Sequence, residues 1–146
     1  MTSSFYECKV RYERTNYDND NGSVRKVTEN YMVVHALSFT DVETIAIGNL
    51  TPLTEGEIDI LSMKSSTISD IYLSNEAEDD HFFKAKIVYI TLDEKSGKEK
   101  KISEYVLVQA KSPEVAIKRL NKELGSIANV TIASIVESNI VDVLRY

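Results

Sequence analysis

One cysteine in 146 residues excludes an intramolecular disulfide, and Cys8 sits at an inward-looking strand position. A buried structural thiol in a reducing compartment is therefore expected. Two histidines are a thin supply for acid–base work. No GxSxG, P-loop, GxGxxG, HExxH or paired-cysteine pattern occurs, so no catalytic residue, cofactor or metal ligand is assigned and the chain is not expected to be an enzyme. No apolar run approaches the roughly 20 residues needed to cross a bilayer. The amino terminus lacks a basic segment followed by an apolar one, so no signal peptide is read and a cytoplasmic location is expected.

Two acidic stretches invite a metal reading. Asp18-x-Asp20 fails the EF-hand pattern, because no frame supplies the opening Asp, the Gly at position six and the closing Glu together. Glu76, Glu78, Asp79 and Asp80 beside His81 lack a second ligand cluster elsewhere. A solvated connector is the simpler expectation.

What is present is a repeat. Tyr31 to Leu50, YMVVHALSFTDVETIAIGNL, matches Tyr105 to Leu124, YVLVQAKSPEVAIKRLNKEL, at an offset of 74 residues. Upstream, Phe5 to Tyr12 matches Phe82 to Tyr89 at an offset of 77; downstream, Ile60, Ser62, Ser66, Ile68 and Asp70 match Ile132, Ser134, Ser138, Ile140 and Asp142 at 72. The offset changes only between expected elements, as loop-length differences should. Each central copy reads as a strand apolar on both faces, hence covered on both, running into a capped helix. Ser112-Pro113-Glu114 opens the second helix. In the first copy Thr40 and Glu43 have the spacing of a capping box, which moves the cap two residues on. Gly125 stands where a C′ glycine belongs.

The flanking segments complete the unit. Tyr6, Cys8, Val10 and Tyr12 alternate with Glu7, Lys9 and Arg11, so a half-buried strand is expected there. A polar loop with Asn21-Gly22 at its tip returns the chain through Val24 to Thr28. His35 is placed within the central strand. Glu57 to Lys64 and the short run Ile68 to Leu73, separated by a turn at Ser65 to Thr67, supply the third and fourth strands. The second copy follows with Phe82 to Asp93, a charged turn, Lys100 to Ala110, and then Val130 to Val136 and Ile140 to Leu144. The expectation is an α+β protein, a tandem duplication of a ββαββ unit with pseudo-twofold symmetry and antiparallel sheets each carrying one helix. Residues 1–73 form the first repeat, 74–81 an acidic connector and 82–146 the second, with one shared core because 70-residue units are marginal alone.

Charge divides the sequence unevenly. Residues 1–73 carry 6 basic and 11 acidic side chains, the connector adds four carboxylates, and residues 82–146 carry 11 basic against 8 acidic. Halves of opposite sign would serve head-to-tail assembly or an anionic ligand. Lys9, Arg11, Lys84 and Lys86 are expected to project outward from equivalent strands, and Lys100 and Lys101 crowd the second hairpin with Lys95 and Lys98. These bases are the candidate ligand-binding residues. Val88 and Ile90 face away from Ile87 and Tyr89 and also need covering. The expected function is non-catalytic: a homo-oligomeric binding or assembly protein that takes a partner protein or a small anionic, nucleotide-like ligand. A nucleic-acid-binding accessory role is the alternative, weighed against by the acidic total.

The segments ECKVRYE, ALSFT and ITLDEKSG, within a whole-chain similarity, resemble an uncharacterised domain-of-unknown-function family of Bacteroidota and their phages and mobile elements; the YDNDNG loop is longer than in that pattern. The resemblance implies a small cytoplasmic protein of phage or bacterial origin, acting in the host cytoplasm, as an accessory to replication or as an inhibitor sequestering a host factor or nucleotide. It brings no catalytic or binding residues with it.

Overall fold

The computed structural model describes residues 5–15, 24–125 and 129–146. The Asp18-x-Asp20 and Asn21-Gly22 readings fall outside them. Strands β1 (Tyr6–Thr15) and β2 (Val24–Val33) pair as an antiparallel hairpin and lead into helix α1 (Phe39–Leu50). Then come β3 (Asp59–Ser65) and β4 (Ile68–Tyr72). The order recurs as β5 (His81–Leu92), β6 (Glu99–Ala110), α2 (Pro113–Leu124), β7 (Val130–Glu137) and β8 (Ile140–Leu144). The protein is α+β, with two four-stranded, mainly antiparallel sheets and one helix for each, an architecture compatible with a duplicated unit.

Sheet membership does not follow the chain. The strand orders are β3-β1-β2-β8 and β7-β5-β6-β4. The compact units are accordingly residues 1–66 with 139–146, and residues 67–138, rather than 1–73 and 82–146. The fourth strand of each sheet comes from the other half of the sequence and runs parallel to its neighbour, β8 along β2 and β4 along β6. The reason is local. No turn forms at Ser66–Thr67 or at Ser138–Asn139, so β4 does not fold back on β3, nor β8 on β7. Instead the Ser66 N–H donates to the Phe5 carbonyl and the Ser138 N–H to the Phe82 carbonyl, each at 2.9 Å.

This exchange redistributes charge. The first unit carries 7 basic and 11 acidic residues and the second 10 and 12, so the units are net −4 and −2. The opposite signs of the sequence halves do not survive in the units.

Alternation decides which side chains each helix covers. In the first unit Cys8, Val10 and Tyr12 of β1, Tyr31 and Val33 of β2 and Leu144 of β8 pack against Val42, Ile45, Ala46 and Leu50 of α1. In the second, Phe83, Ala85 and Ile87 of β5 and Val106 and Val108 of β6 pack against Ala116, Leu120 and Leu124 of α2. Full burial of one such aliphatic or aromatic side chain is worth about 1.5–3 kcal/mol before entropy is charged. Met32 and Leu107, on the sheet faces turned away from the helices, are also buried, in keeping with the doubly apolar central strands.

Two sequence expectations change at the strand–helix junctions. The cap of α1 is Ser38, whose Oγ accepts from the Asp41 N–H at 3.2 Å; Thr40 and Glu43 lie inside the helix. Ser38 stands 74 residues before Ser112, whose Oγ accepts from the Val115 N–H at 3.3 Å. The caps are therefore in register, not shifted. Conversely, Tyr31 and Tyr105 are not equivalent: Tyr31 pairs with Cys8, whereas Ala85 pairs with Val106. A one-residue slip puts Tyr105 on the opposite face.

His35 reconciles the two offsets. It lies beyond β2, exposed, with φ 62°, and is the one residue more that the first junction contains. Gly125 does not use its freedom at positive φ, since its φ is −62°. It is there for space: a Cβ would come within 2.8 Å of the Asn121 carbonyl oxygen. Gly97 does need positive φ, 67°, to close the β5–β6 turn, where its N–H donates to the Asp93 carbonyl at 2.8 Å. Among the described residues no helix is long and apolar enough to cross a membrane.

Candidate binding sites

The six predicted bases separate into three settings. Lys9 and Arg11 are exposed on the face of β1 away from α1, opposite Asn30 and Thr28 of β2. Lys84 and Lys86 are half-buried on the corresponding face of β5. Lys100 and Lys101 are exposed on β6 opposite Thr91 and Ile90, where alternation sends Lys101 to the face of Lys86 and Lys100 to the other. Here β6 pairs only with β5 among the described residues, so Ile90, Leu92 and Ile102 are exposed beside the lysines.

Lys84 and Lys86 form the most developed of these settings. The Lys84 ammonium lies 4.7 Å from the centre of the Tyr105 ring and donates to Thr67 Oγ1 at 3.5 Å. Lys86 stands between Tyr105 on β6 and Ser134 on β7. The register puts no carboxylate on this face beside either lysine, and neither makes an ion pair among the described residues. A bulge follows directly, between Lys86 and Ile87. The first unit repeats this detail, with Lys9 opposite Ser62 and a bulge between Lys9 and Val10.

On the helix side, each unit contains a tyrosine–carboxylate cluster that sequence reasoning missed. In the first, the Tyr31 hydroxyl donates to Glu29 Oε2 and lies 2.9 Å from the Tyr12 hydroxyl. Tyr12 donates to the same carboxylate at 3.3 Å, and Arg14 pairs with Glu29 Oε1 at 3.3 Å. Burial first, then the neighbouring carboxylate and hydroxyl, push the Tyr31 phenol far above its usual range. Burial likewise raises Tyr12. Arg14, Glu29 and Tyr31 line a cleft of about 180 Å³ with Asn49, Leu50, Leu53, Val141, Asp142 and Leu144. In the second unit Glu104 stands near Tyr89 and Asp70 near Tyr72; burial first, then these carboxylates, raise both phenols. Tyr89, Glu104 and Asp70 hold the sheet positions of Tyr12, Glu29 and Asp142. The signal was present in the sequence but spread over three distant segments.

The connector is not a solvated linker throughout. Asp79 is buried. Its carboxylate accepts from the Ser74 hydroxyl, the Lys111 N–H at 2.9 Å and Arg119 at 2.8 Å, and Gln109 Nε2 donates to its carbonyl at 2.9 Å. The Ser74 hydroxyl first, and then Arg119, hold the Asp79 carboxyl below its ordinary value against the effect of burial. The donors reach Asp79 from its own loop, the end of β6, the β6–α2 junction and α2, which makes this an anchoring network. His81 contacts Glu137 through Nδ1 at 2.6 Å and Asp80 through Nε2 at 3.4 Å. Cys8 is buried, and burial pushes its thiol up to about 11, a setting that keeps it protonated and unreactive at neutral pH.

No curated protein matches this sequence. A family model, that of a domain of unknown function (DUF4494), matches residues 4–146. With nearly its whole length matched, the chain belongs to this domain-of-unknown-function family.

Proposed function

We propose that the protein is a non-catalytic binding module whose anionic ligand sits at the face of β5, β6 and β7 turned away from α2, held by Lys84 and Lys86. The observation that carries this reading is two half-buried lysine residues two positions apart with no carboxylate beside them on that face. With their stems partly covered and no carboxylate partner, the two ammonium groups keep donors for an arriving phosphate or carboxylate. Tyr105, Ser134 and Thr67 supply a ring and hydroxyls around the lysines, a set suited to a nucleotide-like ligand. Lys9 beside Ser62 supplies a weaker version in the first unit, where Glu7 occupies the position of Lys84.

A second reading is single-stranded nucleic acid, favoured by Lys101, which continues the basic face along the exposed end of the hairpin. Homo-oligomers would bury Ile90, Leu92 and Ile102, and a cytoplasmic, phage or Bacteroidota setting fits a sequestering role. The test is calorimetric titration with adenosine monophosphate and with a short oligothymidylate, on wild type and on Lys84→Gln/Lys86→Gln. The mononucleotide should bind wild type and be lost in the double variant. Binding of the oligonucleotide alone, with a steep salt dependence, selects the second reading. Failure of both on a folded wild type sinks the anion site.

A further inference from the structure

The cleft in the first unit has a chemistry opposite to that of the lysine face. Its lining carries Arg14 against Glu29 and Asp142, a net charge of −1. Glu29 is already engaged by Arg14 and by the Tyr12 and Tyr31 hydroxyls. Asp142 is not neutralised: its Oδ1 accepts the Val143 N–H at 2.8 Å, and among the described residues it makes no ion pair. The remaining wall is apolar, formed by Leu50, Leu53, Val141 and Leu144, with Asn49 committed to the Ile45 and Arg145 carbonyls at 2.7 and 2.9 Å.

We propose that this cleft binds a small aliphatic ammonium ion, its charged head at Asp142 and Glu29 and its chain against Leu53 and Val141. Charge selects a cation, because an anion would meet two carboxylates for one guanidinium. The apolar part of the lining, chiefly Leu53 and Val141, gives a short hydrocarbon chain a wall that a hydrated metal ion would not use. Size sets its length: a cleft of about 180 Å³ holds roughly six non-hydrogen atoms at about 30 Å³ each, the share of a water in the liquid. A five-carbon primary amine meets all three requirements. The second unit keeps a tyrosine and two carboxylates at the same sheet positions, Tyr89, Glu104 and Asp70, although most surrounding side chains differ. Packing alone does not require a carboxylate pair there.

The experiment is an amide NMR titration of the full chain with n-pentylammonium chloride, alongside n-pentanol and sodium pentanoate of similar length. Pentylammonium should give saturable shifts at Leu50, Leu53 and Asp142. Asp142→Asn, which keeps the acceptor for the Val143 N–H, should weaken it on the order of tenfold while resonances outside the cleft stay in place. Glu29→Gln should weaken it in the same direction. The proposal fails if pentanol saturates the same amides at equal concentration, if pentanoate binds in preference, if Asp142→Asn binds like wild type, or if no saturable shift occurs.

Discussion

Val106, not Tyr105, occupies in the second sheet the place that Tyr31 holds in the first: Tyr31 lies opposite Cys8 and Val106 opposite Ala85. The slip sends one tyrosine into a buried hydroxyl–carboxylate chain and the other to the face where Lys84 covers it. Removing the two hydroxyls should therefore have unequal effects. Tyr31→Phe leaves Tyr12 and Glu29 short of a buried partner and should cost about 1–3 kcal/mol, whereas Tyr105→Phe keeps the ring and should stay within about 0.5 kcal/mol of wild type. Urea unfolding of both variants checks this.

The caps provide a second comparison. Ser38→Ala should destabilise by about 1 kcal/mol, because it orphans the Asp41 N–H. Thr40→Ala, inside the first turn, should cost much less. Equal effects would return the cap to Thr40.

His35 has φ 62°, a region that costs an L-residue about 1–2 kcal/mol. His35→Gly should therefore raise the thermal midpoint, offset in part by the greater freedom glycine has when unfolded. A β-branched residue at the same place should lower it.

Acidification should weaken the second unit through Asp79. Its folded pKa lies below its unfolded value of 3.8, so the contribution is complete above that value and is lost as pH falls through the lower folded pKa. Arg119→Ala should abolish much of that dependence and should be more destabilising than Lys111→Ala, since Lys111 contributes only its backbone N–H to Asp79. Cys8 acts at the other extreme. Its thiol is raised from 9.0 to about 11, so the stability it contributes is intact below pH 9 and is lost as pH rises towards 11. Equilibrium unfolding between pH 2 and 11, with Cys8→Ala as control, reads both ends.

These residues also mark what was legible in the sequence. Strands and helices could be read because alternation and 3.6-residue spacing are local, and the same alternation assigns Lys9, Lys84 and Lys86 to the faces away from the helices, although Lys84 and Lys86 are half-buried there. The exchange of β4 and β8 could not be read. Their repeat match is identical whether each strand joins its own half or the other, and the choice is made by the missing turns at Ser66–Thr67 and Ser138–Asn139. The tyrosine–carboxylate cluster of the first unit was hidden because Tyr12, Tyr31 and Glu29 meet through the register of the β1–β2 hairpin, and Asp142 joins Glu29 and Tyr31 in the cleft only once β8 lies along β2. Asp79 looked solvated because nothing in SNEAEDDH distinguishes it from its three acidic neighbours. Its partner Arg119 is 40 residues away.

The most direct test of the binding account is native mass spectrometry of the protein purified gently from its natural host, wild type beside Lys84→Gln/Lys86→Gln. The account predicts a defined extra mass on wild type, lost on denaturation and identified as an anion, and its absence from the double variant. The same adduct on both proteins, or a bare wild-type chain that also ignores added nucleotide, would contradict it.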